Sequence, residues 1–365
     1  NDLLLAGAVA WRASRGTRAA RADIDRRVRQ EVLALQAGQR QLFLELLDGS
    51  CRSWMCYHQE SFDREAAWYA ARPRARPRVE RVALSLGGAA AQVALSDGSQ
   101  TWRATWYFRH VDGQWRHTEP PPEFWGARQP VLAPHVTLVT HTPDRAPAAR
   151  LAAELEALYL KLAETYRLGA PSPGSIVLHV VPYRVSSAGS ELQWSLSLSS
   201  PWLGLEMWTP EEHQACLSRA ARTAVARILL GRALRPASRP ADGGWLLEGL
   251  ALWHAGAWEP AWRRHIEASL ADGSYRRVLD QRPRRDGQEQ PLPAEQDRAL
   301  AYALGALLGT ACSPGQLCAL LQAAGSGSAQ AALAQALGHS GDDLETAWAA
   351  HLARLAQRLT RSPLT

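Results

Sequence analysis

From Asp23 to Ala37, apolar residues fall at Ile24, Val28, Val32 and Leu35, which share one side of a helix with about 3.6 residues per turn. Leu42 to Leu47 continues as a second short helix. After a loop from Cys51 to Cys56, Ser61 to Ala71 reads as a third. Beyond the Pro-containing stretch RPRARPR the period shortens to that of strands. Val79 to Leu86 and Ala91 to Leu95 flank the turn residues Gly87 and Gly88. Gln100 to His110 and Gln114 to Thr118 flank Val111, Asp112 and Gly113, where Asp-Gly marks a tight hairpin. Helices followed by a meander predict an α+β domain over residues 23–120.

The second half is patterned differently. Residues 121–134, rich in Pro and containing FWG, read as a linker. Val136 to Thr140 is a short strand, Pro147 to Tyr166 a helix with Leu151, Leu155, Leu158 and Leu162 aligned, and Ser175 to Val181 a buried strand. Gln193 to Leu198 alternates as an exposed or edge strand. Thr209, Pro210 and Glu212 then supply a cap, a first-turn proline and a capping box for a long helix reaching Ala233. These elements predict a mostly helical domain with a small sheet over residues 135–357 and a tail at 358–365.

Composition supports globular domains, with 46% hydrophobic residues, 15 Trp and 21% charged residues in a chain of 365. The net charge of +6 does not make a nucleic-acid binder. Lys161 is the only lysine and Asn1 the only asparagine, a bias expected of a GC-rich bacterial genome, and the arginines alternate with glutamates instead of forming a basic stripe among exposed aromatics. The cysteines form two close pairs, Cys51 with Cys56 and Cys312 with Cys318, read as disulfides of an oxidising compartment, while Cys216 lies in a helix as a buried thiol. A zinc knuckle from Cys51, Cys56 and His58 lacks a second ligand pair. The opening LLLAGAVAW, Leu3 to Trp11, is short of the roughly 20 residues that cross a bilayer. With Arg12, Arg15 and Arg18 behind it, residues 1–22 read as the outer end of a single N-terminal membrane anchor, the other reading being a buried helix.

Residues 23–120, closing on WYFRHVDGQWRHTEPP, resemble the nuclear-transport-factor-two-like (SnoaL-like) cone fold, in which helices and a curved antiparallel sheet enclose a pocket. On that resemblance Trp102, Trp106, His110 and Trp115 are candidate pocket residues, with core or sheet-surface packing as the alternative. A working site there would want a His and a carboxylate inside the cone, and sequence does not say which strand face points inward.

A strand, a long capped helix and then GWLLEGLALWHAG, Gly243 to Gly256, resemble the core of a gluzincin metallopeptidase, and the helical segment up to Leu355 resembles the tail of that group. Such enzymes place H-E-x-x-H on the first helix and a third ligand, a Glu, on a later one, where Glu248 matches. The matching window, Arg222, Thr223, Ala224, Val225 and Ala226, holds neither imidazole nor base. Arg222 is expected to pair with Glu248 in the former metal pocket, or else Glu248 is a solvent-exposed carboxylate. Tyr302 stands either as the transition-state-stabilising Tyr of related enzymes or as a core aromatic. No nucleophile elbow, phosphate loop or dinucleotide fingerprint is present. The resemblance implies a catalytically inactive pseudo-peptidase with no cofactor or metal. It would be tethered at the extracytoplasmic face of the cell membrane, binding a protein partner or a peptide in the old substrate cleft and no nucleic acid. The alternatives are small-molecule binding or chemistry in the cone pocket, and a metal-dependent hydrolase with a non-standard site.

Overall fold

A computed structural model describes residues 2–85, 87–168, 176–182, 195–200, 210–233, 244–259, 262–278, 295–326 and 329–361, with most side chains from Thr17 onward. The cap expected at Thr209 and its partner side chain Glu212 lie outside the described parts. The fold is mixed α+β, mostly helical, with two four-stranded sheets among the described residues.

The first sheet is an antiparallel meander in the order β1 (Arg76–Ser85), β2 (Gly88–Ser96), β3 (Thr101–Val111) and β4 (Gln114–Thr118). Alternation along β3 turns Trp102, Trp106 and Phe108 to one side, and their cross-strand neighbours on β2 are Leu95, Ala91 and Ala89. Pairing the rings with two alanines leaves room for them between sheet and helices. Those helices are α1 (Asp2–Gln36), α2 (Arg40–Leu46) and α3 (Arg52–Ala70). Ile24, Val28, Val32 and Leu35 of α1 are fully buried in this core, on the face the sequence predicts. Beside the free edge of β1, α1 takes the place of a neighbouring strand. Its Asp25 accepts from the Val79 N–H at 3.2 Å and its Arg21 donates to the Val79 carbonyl at 2.9 Å, where the register shifts.

The apolar opening belongs to the same long helix as Asp23–Gln36, and no described helix is long and apolar enough to cross a membrane. One expectation for this region changes. The stretch read as a Cys51 to Cys56 loop is helix: Cys51 is the N-cap residue of α3 and Cys56 lies in its second turn. Five residues of helix turn two positions about 140° apart, away from each other. All five cysteines are free thiols, Cys216 is half-buried, and Cys312, beyond the helix that precedes it, points its Sγ at the Ala336 carbonyl at 3.7 Å.

The segment read as linker is also structured. It carries α4 (Pro122–Trp125) and β5 (Gln129–Leu132), and Trp125 packs with Trp54 and Tyr57 of α3 while meeting the His141 ring at 5.8 Å. β5 pairs antiparallel with β6 (Val136–Thr140), which runs parallel to β7 (Ile176–Val181) and then β8 (Ser195–Ser199). The crossover from β6 to β7 is α5 (Arg145–Thr165), whose Leu151, Leu155, Leu158 and Leu162 are all buried. Against it packs α6 (Pro210–Ala233), followed by α7 (Gly244–His254), α8 (Trp262–Asp272), α9 (Glu295–Ala311), α10 (Pro314–Ser326), α11 (Ala329–Leu337) and α12 (Gly341–Arg361). Helices α7 and α9 cross so closely that a Cβ on Gly249 would sit 2.2 Å from the Ala301 carbonyl oxygen.

Candidate functional site

Helices α6 and α7 run past each other so that Arg227 pairs with Glu248, the Arg222 guanidinium reaches 3.8 Å from where a Cβ of Gly256 would be, and Arg219 stands 3.9 Å from Glu259. Residue numbers fall along α6 as they rise along α7 and the turn after it, which defines an antiparallel pair. The expected Arg222–Glu248 pair is therefore not formed. Five residues of helix place Arg222 about 7.5 Å further along α6 than Arg227, at the carboxyl end of α7. A guanidinium suits that place because the last carbonyls of a helix carry partial negative charge. The Arg222 Nε and the buried Thr223 Oγ1 have no hydrogen-bond partner among the described residues, and Ala226 is fully buried. Arg222 offers only N–H donors and Ala226 no polar atom, so neither ligates a cation. Tyr302 packs on Trp258 and Trp262 at 5.3 and 5.8 Å, and burial raises its hydroxyl pKa.

Two titratable groups of this domain work against each other. The His254 Nε2 and the Tyr166 hydroxyl are hydrogen-bonded at 2.7 Å, and burial, helped by Lys161, pushes the imidazole down to about 4. Asp144 is fully buried beside Ser200, whose hydroxyl donates to it at 3.1 Å, and burial pushes its carboxyl up to about 6 despite that bond. A depressed imidazole contributes stability that is present above its ordinary value near 6.5 and lost as pH falls toward 4. A raised carboxyl contributes stability that is present below its ordinary 3.8 and lost as pH rises through 6. From pH 7 to pH 4, His254→Gln should gain up to roughly 3 kcal/mol relative to wild type, and Asp144→Asn should lose a similar amount. Thermal melts at stepped pH measure both shifts, and parallel profiles for the three proteins would refute them.

The densest chemistry lies in the N-terminal domain. Glu31 of α1, His58 and Glu65 of α3, and His117 of β4 are all 3% exposed or less. The His117 Nδ1 bonds the Glu31 Oε2 at 2.8 Å. The His58 Nδ1 stands 3.5 Å from the Glu65 Oε2, and the Ser61 hydroxyl donates to the Glu65 Oε1 at 2.8 Å. Aromatic rings close the space between these pairs: Trp106 stacks on His117 with centroids 4.8 Å apart, and Trp54 meets His58 edge-on at 4.1 Å. Burial pushes the Glu65 carboxyl up, but the adjacent His58, aided by Arg64 and the Ser61 hydrogen bond, outweighs it and holds the group below the usual range.

Among the described residues, Glu31 Oε1, His58 Nε2 and the indole nitrogens of Trp54 and Trp106 have no hydrogen-bond partner, while His58 Nδ1 and Glu65 Oε2 meet only each other, at 3.5 Å. Each unmet buried polar atom costs about 1–3 kcal/mol, so the site suits a hydrogen-bonding occupant, whether water or a small molecule. Imidazoles beside carboxylates in a dry site also suit proton transfer. Among the described residues, no group of three or more His, Cys, Asp or Glu is placed to hold a metal ion.

Of the four expected pocket residues, Trp102 and Trp106 are in this core, and Trp106 lines the His–Glu cluster. His110 is exposed, and its ring meets at 5.2 Å the half-buried Trp115, which packs against the edge of the core near the β3–β4 turn. The sequence reading singles out none of Glu31, Glu65 and His117, and takes His58 only as part of an incomplete zinc knuckle. Glu31 interrupts the apolar stripe at Ile24, Val28 and Leu35 with the spacing of a core position, the one local signal available. No protein-family model matches the chain, and no curated protein matches it.

Proposed function

We propose that this protein is a catalytically inactive, peptidase-like binding or accessory subunit tethered at the extracytoplasmic face of a membrane. The observation that carries the reading is the Arg227–Glu248 ion pair. The carboxylate in the third-ligand position faces an arginine from the helix that would hold the other two ligands. The helical domain then keeps the shape of a gluzincin body while its groups are committed to one another.

The test is to rebuild the centre with Arg222→His, Thr223→Glu, Ala226→His and Arg227→Ala, the last freeing Glu248. The wild type is expected to purify without zinc and to leave a quenched fluorogenic peptide uncut. The rebuilt protein should take up one zinc per chain. A rebuilt protein with wild-type circular dichroism and no zinc would show that these helices are not related as in gluzincins. Stoichiometric zinc with hydrolysis by the wild type would restore the non-standard hydrolase.

The buried His–Glu pairs favour a second reading, in which the N-terminal domain, as a nuclear-transport-factor-two-like cone, holds a small polar ligand among Glu31, His58, Glu65 and His117. Removing one carboxylate from that core tests it, since any occupant held there should leave with it.

A further inference from the structure

On the outer side of the N-terminal domain, α1, α2 and β4 enclose a groove of about 670 Å³, within the range of ligand sites. Its two ends differ. At the β4 end stand two guanidinium groups held by neutral oxygens. Arg27 donates from Nε to the Trp115 carbonyl and from Nη2 to the Gln114 side-chain oxygen, both at 2.9 Å, and Arg116 donates to the Glu45 carbonyl at 2.9 Å. Their charges are fixed in place and repel one another, so that burial first and the Arg116 charge after it lower the Arg27 pKa, with Glu31 opposing. The carboxylate lining this end, Glu45, accepts from the Gln41 amide at 2.9 Å. At the other end, on either side of the turn between α1 and α2, Leu33 is 61% and Leu42 43% exposed.

From Arg27 to Leu33 is six residues of helix, about 9 Å. Three residues of extended chain span about 10 Å. The side-chain amides of Gln30 and Gln39 line the groove and match peptide groups, whereas a lipid chain would leave them unmet.

We infer that this groove binds an extended segment of a partner protein, with an acidic side chain between Arg27 and Arg116 and a large apolar side chain, three positions away, on Leu33 and Leu42. The inference rests on the reading of the protein as a binding subunit and names its contact surface. The carboxylate completes two anchored guanidinium groups, and the apolar side chain covers two leucines that solvent now meets. The groove lies outside the His–Glu core although the same elements build both. Arg116 and His117 are successive residues of a strand and face opposite ways, and Gln30 and Glu31 are a fifth to a third of a turn apart on α1.

A phage-displayed library of random nonamers panned on the full chain tests this, with a Leu33→Asp, Leu42→Asp double variant as the counter-target. Both leucines are solvent-exposed, so the variant should melt with the wild type. The expected result is enrichment of peptides carrying Asp or Glu three positions from Leu, Ile, Phe or Met. Their affinity should fall at least about tenfold on the double variant and weaken as salt is raised. Enrichment of basic or uncharged sequences, equal binding to the variant, or no enrichment at all would overturn the proposal. The zinc-rebuilding experiment judges the peptidase-like body and the panning judges the groove, so either can fail alone.

Discussion

Gly305→Ala is expected to destabilise the protein by about 3 kcal/mol, the upper part of the range for overpacked cores. The Cβ it adds would lie 2.0 Å from the Gly249 carbonyl oxygen and 2.4 Å from its carbonyl carbon, both backbone atoms of the facing helix. No rotamer relieves that contact, so α7 and α9 must separate and open the buried layer of Leu250, Ala251, Leu304 and Leu308. Gly249→Ala meets the mirror situation at the Ala301 carbonyl. One turn on, Gly309 makes room for the ring of Trp253, where a Cβ would come within 2.2 Å of a side chain that can partly move. Gly231 in α6 is the control, because nothing lies within 4 Å of its would-be Cβ. There the same substitution should stabilise by about 0.5–1 kcal/mol through helix propensity alone. Urea denaturation of the variants measures both signs. A Gly305→Ala protein as stable as Gly231→Ala would mean that the helices do not cross at these residues.

Glu31→Ala is expected to cost about 3–5 kcal/mol, because it strands the His117 imidazole inside an apolar core. Replacing both partners by apolar side chains of similar size, Glu31→Met with His117→Phe, should recover most of that loss or exceed the wild type. The new ring meets Trp106 and Phe108, against which His117 already stacks at 4.8 and 5.3 Å. Stability alone reports on the buried pair; a second readout reports on ligand. Acid denaturation of the purified wild type followed by mass spectrometry should release a small molecule that the double variant lacks. Full recovery of stability together with no released molecule from either protein would reduce the cluster to a structural pair and end the small-ligand reading.

How much of this was legible in the sequence depends on the range of the interaction involved. Strand and helix positions follow from neighbours within one or two turns, so the meander from β1 to β4, the β6–α5–β7 crossover and the span of α6 are readable from periodicity and turn residues. The start of α3 was misread because two cysteines and a histidine suggested loop chemistry, while Trp54, Met55 and Tyr57 already had helical company. The linker hid β5 because a four-residue strand makes too short a pattern to distinguish from extended coil.

The sequence by itself determined that the window Arg222 to Ala226 lacks zinc ligands and that the chain alternates between two patterns suited to α+β packing. Those are properties of side-chain type and local period. Only the tertiary structure decided that Glu248 meets Arg227 instead of Arg222, because the partner depends on how far one helix slides along another. It likewise decided that Glu31 finds His117, and His58 finds Glu65 beneath Trp54, since which strand face points inward and which helix covers it are set by packing across 86 residues of chain in the first case. A dry interior rewards such pairs only when both halves arrive together, and no stretch of sequence contains both halves of the Glu31–His117 pair.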